Sequence, residues 1–396
     1  MSGWVGVSMG GWAGGRMGGW VPVVAAVGVA ATLSAQAPRP SAAPLQEQLQ
    51  QLVTKWQPAS GAPGVSVGLV TKDGAVYAAT AGVADRTTGI PLTTDDLLLA
   101  GSTGKTFFAA LAVQLIDAQR LDLDAKVSTY LGKHAWFDRL PNARDITVRH
   151  LMTHTSGLVR YELNPAFTAD LRAQPDRVWK PEEQLAYLFD TKAAFAAGAG
   201  WEYSDTNYIV LAMVLEQVTG TKAYDEIATR FLRPLKLTRV VPQTSRRIPG
   251  LAKGYAGPTD PLGFPDEMIK DGLLVINPQF EWGGGGFATS PRDLARWGHA
   301  LYLGDALSAP GRALMLDSAV PGRLGPEVQY GLGVIVRSTT PVGPVVGHSG
   351  FFPGYLTELA HVRTTGTTVA VQVNTSAGVR GLLRFAYDVA ALASAR

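Results

Sequence analysis

Strand patterning sits at the two ends of this chain and helical patterning lies between them, which suggests that the termini together build one α/β lobe and the middle a helical one. Near the start, Val65 to Val70 and Ala75 to Ala79 flank Lys72-Asp73-Gly74. Asp-Gly there supplies the positive φ angles of a hairpin turn. Near the end, Tyr330 to Val336, Tyr355 to Val362 and Thr367 to Val373 read as successive strands, and a helix from Leu382 to Leu392 follows. Connections this short predict an antiparallel meander. Leu45, Leu49, Leu52 and Trp56 recur at helical spacing. From Thr103 to Gln119, Phe107, Phe108, Leu111, Leu115 and Ile116 do the same with no Pro between them, which predicts the strongest helix in the chain. Further helical stretches cover Glu182 to Phe189, Tyr208 to Thr219 and Tyr224 to Leu232. The expected fold is α/β (α+β): an antiparallel sheet flanked by N- and C-terminal helices, with an all-helical lobe inserted roughly within residues 120–290. A cleft between the lobes is the expected site.

Hydrophobic residues make up 46% of the chain and charged residues 17%, enough apolar surface to offset the entropy of folding. No lysine- or arginine-rich run interrupts a formal net charge of +3, which argues against nucleic acid as a partner. There is no Cys, so disulfides, thiolate metal sites, a cysteine nucleophile and a lipid on an N-terminal Cys are all excluded. Neither metal nor organic cofactor is expected. Arg16 precedes an apolar run from Val21 to Leu33, and Ala35-Gln36-Ala37 offers small residues for cleavage before Pro38. Residues 1–37 therefore read as a signal peptide, 38–44 as a linker rich in Pro and Ala, and 45–396 as one folded domain. The apolar run is shorter than the roughly 20 residues that span a bilayer, so no stable membrane span should survive cleavage. The expected product is periplasmic or secreted, and monomeric.

Ala100-Gly101-Ser102-Thr103-Gly104-Lys105-Thr106 opens the strongest helix, and residues three apart share a helix face. Ser102 and Lys105 can therefore touch. Serine needs a neighbour to take its proton, and a helix N-terminus adds positive potential for a developing oxyanion. The same residues admit a rival reading as the end of a phosphate-binding loop of a P-loop NTPase, but that motif demands Gly where Leu99 stands. Gly64-Val65-Ser66-Val67-Gly68 matches a nucleophile elbow, yet the chain runs on as strand where the elbow turns sharply. His150 and His154 have the spacing of a zinc pair without the catalytic Glu between them, and read as structural.

Further elements follow in order: His150-Leu151-Met152-Thr153-His154-Thr155-Ser156-Gly157-Leu158, Tyr203-Ser204-Asp205, the glycines Gly283 to Gly286, and Gly347-His348-Ser349-Gly350. Together with Ser102-Lys105 this set, from about residue 45 to the C-terminus, resembles the serine β-lactamase family. More narrowly it is similar to the branch of class C β-lactamases, D-alanyl-D-alanine carboxypeptidases and carboxylesterases. The resemblance implies a β-lactamase/transpeptidase-like fold in which Ser102 is acylated, Lys105 and Tyr203 share proton transfer, and His348-Ser349-Gly350 fills the third motif with His348 in the catalytic set. It also implies an oxyanion hole from the backbone N–H groups of Ser102 and Phe351, and substrate contacts from Asp205, Ser349 and Gly350. Substrates would be small acyl compounds, namely β-lactams, D-amino-acid peptides or esters. A non-catalytic alternative is a penicillin-binding sensor that is acylated but does not turn over.

Three expectations follow from the side chains in this set. A tyrosine beside two cations should have its pKa lowered. Asp205 stands where the family usually has Asn, and an ionised carboxylate only accepts hydrogen bonds, so it should hold Lys105 protonated and disfavour substrates that need an amide donor. Asn207 lies near but out of register, and the tetraglycine reads as a flexible loop. Sequencing the exported protein should find its N-terminus near Pro38; an intact terminus upstream of Val21 would contradict the leader assignment.

Overall fold

The computed structural model describes residues 44–394 apart from 259 and 261. The expected leader, residues 1–37, and the linker up to residue 43 lie outside the described residues. In chain order the main strands are β1 (Gly64–Val70), β2 (Val76–Gly82), β3 (Val320–Pro321) and β4 (Val328–Tyr330). They continue as β5 (Ile335–Arg337), β6 (Val345–Phe352), β7 (Tyr355–Val362) and β8 (Thr367–Val373). All eight form one sheet in the order β2-β1-β8-β7-β6-β5-β4-β3, with every pairing antiparallel. The join between the chain ends is central: Val65 pairs with Val373 and Leu69 with Val369. At the β1–β2 hairpin Gly74 adopts φ +85°, as the Asp-Gly pattern predicted.

β1 is buried along its whole length, which requires a layer on each face of the sheet. One layer is α1 (Leu45–Ser60) with the C-terminal helix Leu382–Ser394. Leu49 and Val53 join Phe385 and Val389 over Val67 and Leu69, and Trp56 stacks on Phe385 with centroids 4.1 Å apart. On the opposite face the helix Pro291–Tyr302 lies against β1, capped by Ser290, whose side chain accepts from Asp293 N–H. The approach is so close that a Cβ on Gly68 would sit 2.2 Å from the Pro291 carbonyl. Only glycine fits at that crossing.

The other helices lie between β2 and β3 in the chain. They include α2 (Lys105–Asp117) and α3 (Asp205–Thr219). α2 is buried on nearly every side; its Phe107 stacks on Trp297, centroids 4.1 Å apart, and Trp297 Nε1 donates to Thr106 Oγ1.

Several local expectations change. Tyr330 to Val336 is not one strand but two, β4 and β5, because Gly331 N–H bonds the Val334 carbonyl and Gly333 takes φ +75° to reverse the chain. The segment before Lys105 is a 3₁₀ turn, Gly101–Gly104, and the α-helix starts only at Lys105. The helices predicted over Glu182 to Phe189 and Tyr224 to Leu232 are each cut short, the first ending in a 3₁₀ turn and the second in a π-turn.

Candidate active site

The 3₁₀ turn brings Ser102 and Lys105 into line, since residues three apart eclipse each other in that geometry. Gly101 takes φ +53°, and a Cβ there would lie 2.5 Å from the Phe351 carbonyl oxygen, so the turn is pressed against β6. Gly104 is equally constrained: a Cβ would fall 1.6 Å from the Gly285 carbonyl. Two glycines thus let the turn dock between the β6 edge and the glycine segment. That segment is a correction to the sequence reading. Gly283 to Gly286 is not an open loop but fully buried, with Gly283 against the Tyr208 carbonyl.

Lys105 is fully buried, and its Nζ donates to three acceptors: Ser102 Oγ at 2.9 Å, Asp205 Oδ1 at 2.6 Å and the Gly284 carbonyl. Burial drags its pKa down, but the charge and hydrogen bond of Asp205 outweigh that and hold the ammonium above the ordinary lysine range. Asp205 begins α3, which places its carboxylate across from α2. The Tyr203 hydroxyl is buried beside Lys105 and Ser102, and Lys105 Nζ lies 5.0 Å from its ring centroid. Burial raises the Tyr203 pKa and Lys105 opposes the shift without reversing it, so the lowering expected from neighbouring cations does not occur. One of those cations is missing. His348 is buried, bonded to Tyr330 Oη at 2.9 Å and to the Ser349 carbonyl at 2.6 Å, and burial reinforced by Lys105 pushes it down to about 3. It is neutral at pH 7 and stands behind the cavity instead of lining it.

The cavity itself encloses about 690 Å³. Ser102, Tyr203, Asp205, Ser349, Gly350 and Phe351 all face it. Gly350 lets β6 close on the turn, for a Cβ would meet the Ala100 carbonyl at 2.0 Å. Ser349 Oγ donates to Glu358 Oε2 at 2.8 Å. The remaining sequence candidates sit elsewhere. Ser66 is buried in β1 with its hydroxyl unpartnered, Leu99 lies in the buried strand Leu98–Leu99, and Lys105 has all three donors occupied, which leaves neither an elbow nor a phosphate loop. His150 closes a capping box with Thr147. Asn207 is buried, its amide against His154 Nδ1 at 3.0 Å and its carbonyl accepting from Ser156 Oγ. Among the described residues no three His, Asp or Glu side chains converge as metal ligands.

Sequence reasoning missed the charged residues of the cavity wall: Arg160, Glu162, Glu281, Arg337 and Glu358. The one local signal was a pair of charges, Arg160 and Glu162, inside the otherwise apolar stretch from Leu158 to Leu163. Glu281 is buried and accepts from Gln243 Nε2 at 2.6 Å. Burial pushes it up to about 8, against the pull of Lys105 and with the help of Asp205.

An unfolded glutamate releases its proton near 4.5 and folded Glu281 near 8, so between those values the folded chain binds more protons. The stability this group contributes is complete below 4.5 and is lost as pH rises toward 8. Glu281→Gln, neutral at every pH, should therefore gain in Tm relative to the native chain between about pH 5 and about pH 9. Melting curves in which the difference between the two proteins is the same at both pH values would contradict the assignment.

Comparison with known proteins agrees with this geometry. Residues 45–393 match the family described as Beta-lactamase. Penicillin-binding protein 4* of Bacillus subtilis is 29% identical over 284 residues, 70% of this chain and 60% of that protein. A D-aminopeptidase of Brucella anthropi is 27% identical over 76% of this chain and 54% of its own length. The chain thus spans little more than half the length of these relatives. The crystal structure of a D-stereospecific amidohydrolase from Streptomyces sp. superposes with a TM-score of 0.74 at 28% identity, covering 87% of this chain and 98% of that one. With a match over nearly all of the described residues and the Ser102-Lys105 pair in place, this chain belongs to the beta-lactamase family of serine hydrolases and penicillin-binding proteins.

Proposed function

We propose that the protein is a serine acyl hydrolase that forms an acyl-enzyme on Ser102 and releases it to water, acting on small amides, peptides or esters of D-amino acids. The observation that carries this reading is the Lys105 Nζ contact to Ser102 Oγ, 2.9 Å long, at the wall of an otherwise largely apolar cavity. The names of the D-aminopeptidase and the D-stereospecific amidohydrolase support the substrate class.

In the resting site Lys105 is already protonated, so it cannot take the Ser102 proton until it gives one up. Asp205, 2.6 Å from Nζ, is the acceptor at hand. As Ser102 Oγ attacks the carbonyl carbon, its proton passes to Lys105 while Lys105 hands one to Asp205. The proton returns through Lys105 and Tyr203 to the leaving group when the tetrahedral intermediate collapses. Water then repeats the attack on the acyl-enzyme. The backbone N–H groups of Ser102 and Phe351 form the oxyanion hole, a contribution that preorganised donors commonly make the largest in acyl transfer. His348, neutral and held by Tyr330, acts by fixing the strand that carries Ser349 to Phe351. The enzyme works outside the cytoplasm: the leader pattern supports export, and among the described residues no helix is long and apolar enough to cross a membrane.

A turnover panel of D-alanine p-nitroanilide, p-nitrophenyl acetate and a chromogenic cephalosporin tests this reading. Ser102→Ala should be inactive on every substrate, and Asp205→Asn should lose roughly 100-fold or more in kcat on the anilide and the ester alike, as expected for a proton-transfer partner. Full turnover by Ser102→Ala would overturn the proposal. A single stoichiometric burst on every substrate would instead make the chain an acylated binding module.

A further inference from the structure

Ser349 faces the Ser102 cavity with its only proton already given away. It stands directly opposite Glu358 in the β6–β7 pairing, which puts the two side chains on one face of the sheet, and both residues line the cavity. Ser349 Oγ donates to Glu358 Oε2 at 2.8 Å. A hydroxyl has one hydrogen and two lone pairs, so a serine whose proton goes to a carboxylate can only accept from a third group. Arg337, the last residue of β5, also lines the cavity, and its Nη2 lies 3.5 Å from Ser349 Oγ, too far to hold that oxygen strongly. Ser349 therefore keeps a lone pair for a ligand. What it asks for there is an N–H or O–H, not a carbonyl or carboxylate oxygen.

We propose that Glu358 is a positioning residue for acyl transfer at Ser102: by taking the Ser349 proton it turns that hydroxyl into a hydrogen-bond acceptor and steers the site toward substrates with an N–H beside the scissile bond. The inference rests on the reading of Ser102 as the acylated nucleophile and deepens it. The preferred class becomes esters and amides whose portion next to Ser349 carries an amide N–H, and those that present a bare carboxylate there are disfavoured. Proton uptake reverses the preference. Burial pushes the Glu358 carboxyl up to about 7, against the opposing pull of Arg337 and of the Ser349 hydrogen bond. Below that value a protonated Glu358 can give its own proton to Ser349 Oγ, which frees the serine hydrogen for a carbonyl or carboxylate oxygen of the ligand. The charged and titratable groups facing Glu358 are Arg337 on β5 and Tyr387 on the C-terminal helix. Arg160, Glu162, Asp205 and Glu281 line the same cavity.

The test compares 3-carboxyphenyl acetate with 3-carbamoylphenyl acetate, which share an acyl group and differ in whether the leaving group carries an ionised carboxylate or an amide N–H. The readout is kcat/KM for the carboxylate ester divided by kcat/KM for the amide ester. In the native protein this ratio should fall as pH rises from about 6 to about 8. Glu358→Gln, whose side-chain amide can donate to Ser349 Oγ at every pH, should raise the ratio at about pH 8 roughly ten-fold, the scale of a hydrogen bond to a charged group, and flatten its pH trend. In Ser349→Ala the trend should already be lost, and adding Glu358→Gln should change the ratio little. A native ratio that stays constant between the two pH values overturns the proposal even if Glu358→Gln does not fold. So does a trend that survives whole in Ser349→Ala, which would belong to Glu162 or Glu281, and so does an equal effect of Glu358→Gln with and without the Ser349 hydroxyl. Failure of the underlying reading looks different: p-nitrophenyl acetate hydrolysis would survive Ser102→Ala.

Discussion

A fully buried ammonium is the constraint around which the rest of this site is built. Taking Lys105 out of water costs several kcal/mol unless its donors are matched, and all three find acceptors in Ser102, Asp205 and the Gly284 carbonyl. Each acceptor comes from a different part of the chain. The 3₁₀ turn before α2 supplies Ser102, the first residue of α3 supplies Asp205, and the buried glycine segment supplies the carbonyl. If any of these elements moved, a charge would be left unpaired inside the protein, so the lysine fixes their relative positions. The same demand accounts for the glycines. Gly101 and Gly104 carry no Cβ because Phe351 and Gly285 occupy the space one would need.

The pairing also decides which proton-transfer scheme is open to the site. Burial alone would make Lys105 a ready base, but Asp205 keeps it protonated, and burial keeps Tyr203 neutral. His348 adds no charge. Beside Ser102 there therefore stand a lysine–aspartate ion pair and a neutral phenol. Under the proposed mechanism Asp205, which stands where the family usually has Asn, is also the acceptor at hand for the lysine proton. Around that pair the cavity carries Glu162 and Glu281, both raised by burial, so its charge changes within a few pH units of neutrality.

Much of this was legible in the sequence because it is local. The spacing of Ser102 and Lys105, the Asp-Gly hairpin, and the strands from Tyr355 and Thr367 all depend on residues within a few positions of one another. The other cavity-facing residues, Tyr203, Asp205, Ser349, Gly350 and Phe351, were reached only through the resemblance and the order of its motifs. What stayed hidden is non-local. Whether Tyr203 is raised or lowered depends on how deeply three elements bury it, and nothing in its neighbouring residues records that. Gly283 to Gly286 reads as loose because glycine is permissive, yet here glycine serves close approach, and only the partner backbones at Tyr208 and Gly101 reveal it. Glu162 and Glu281 lie buried on the cavity wall, which no pattern of neighbouring residues encodes.

The central claim is that Ser102, and no other hydroxyl in the cavity, becomes covalently modified because Lys105 and Asp205 serve it. Peptide mapping after reaction with an activated alkyl phosphonate measures this without knowledge of the natural substrate. A single adduct on Ser102 is expected, forming much more slowly in Lys105→Ala. An adduct on Ser349, which faces the same cavity, or on Ser66 would contradict the account, as would labelling of Ser102 at an undiminished rate once Lys105 is removed.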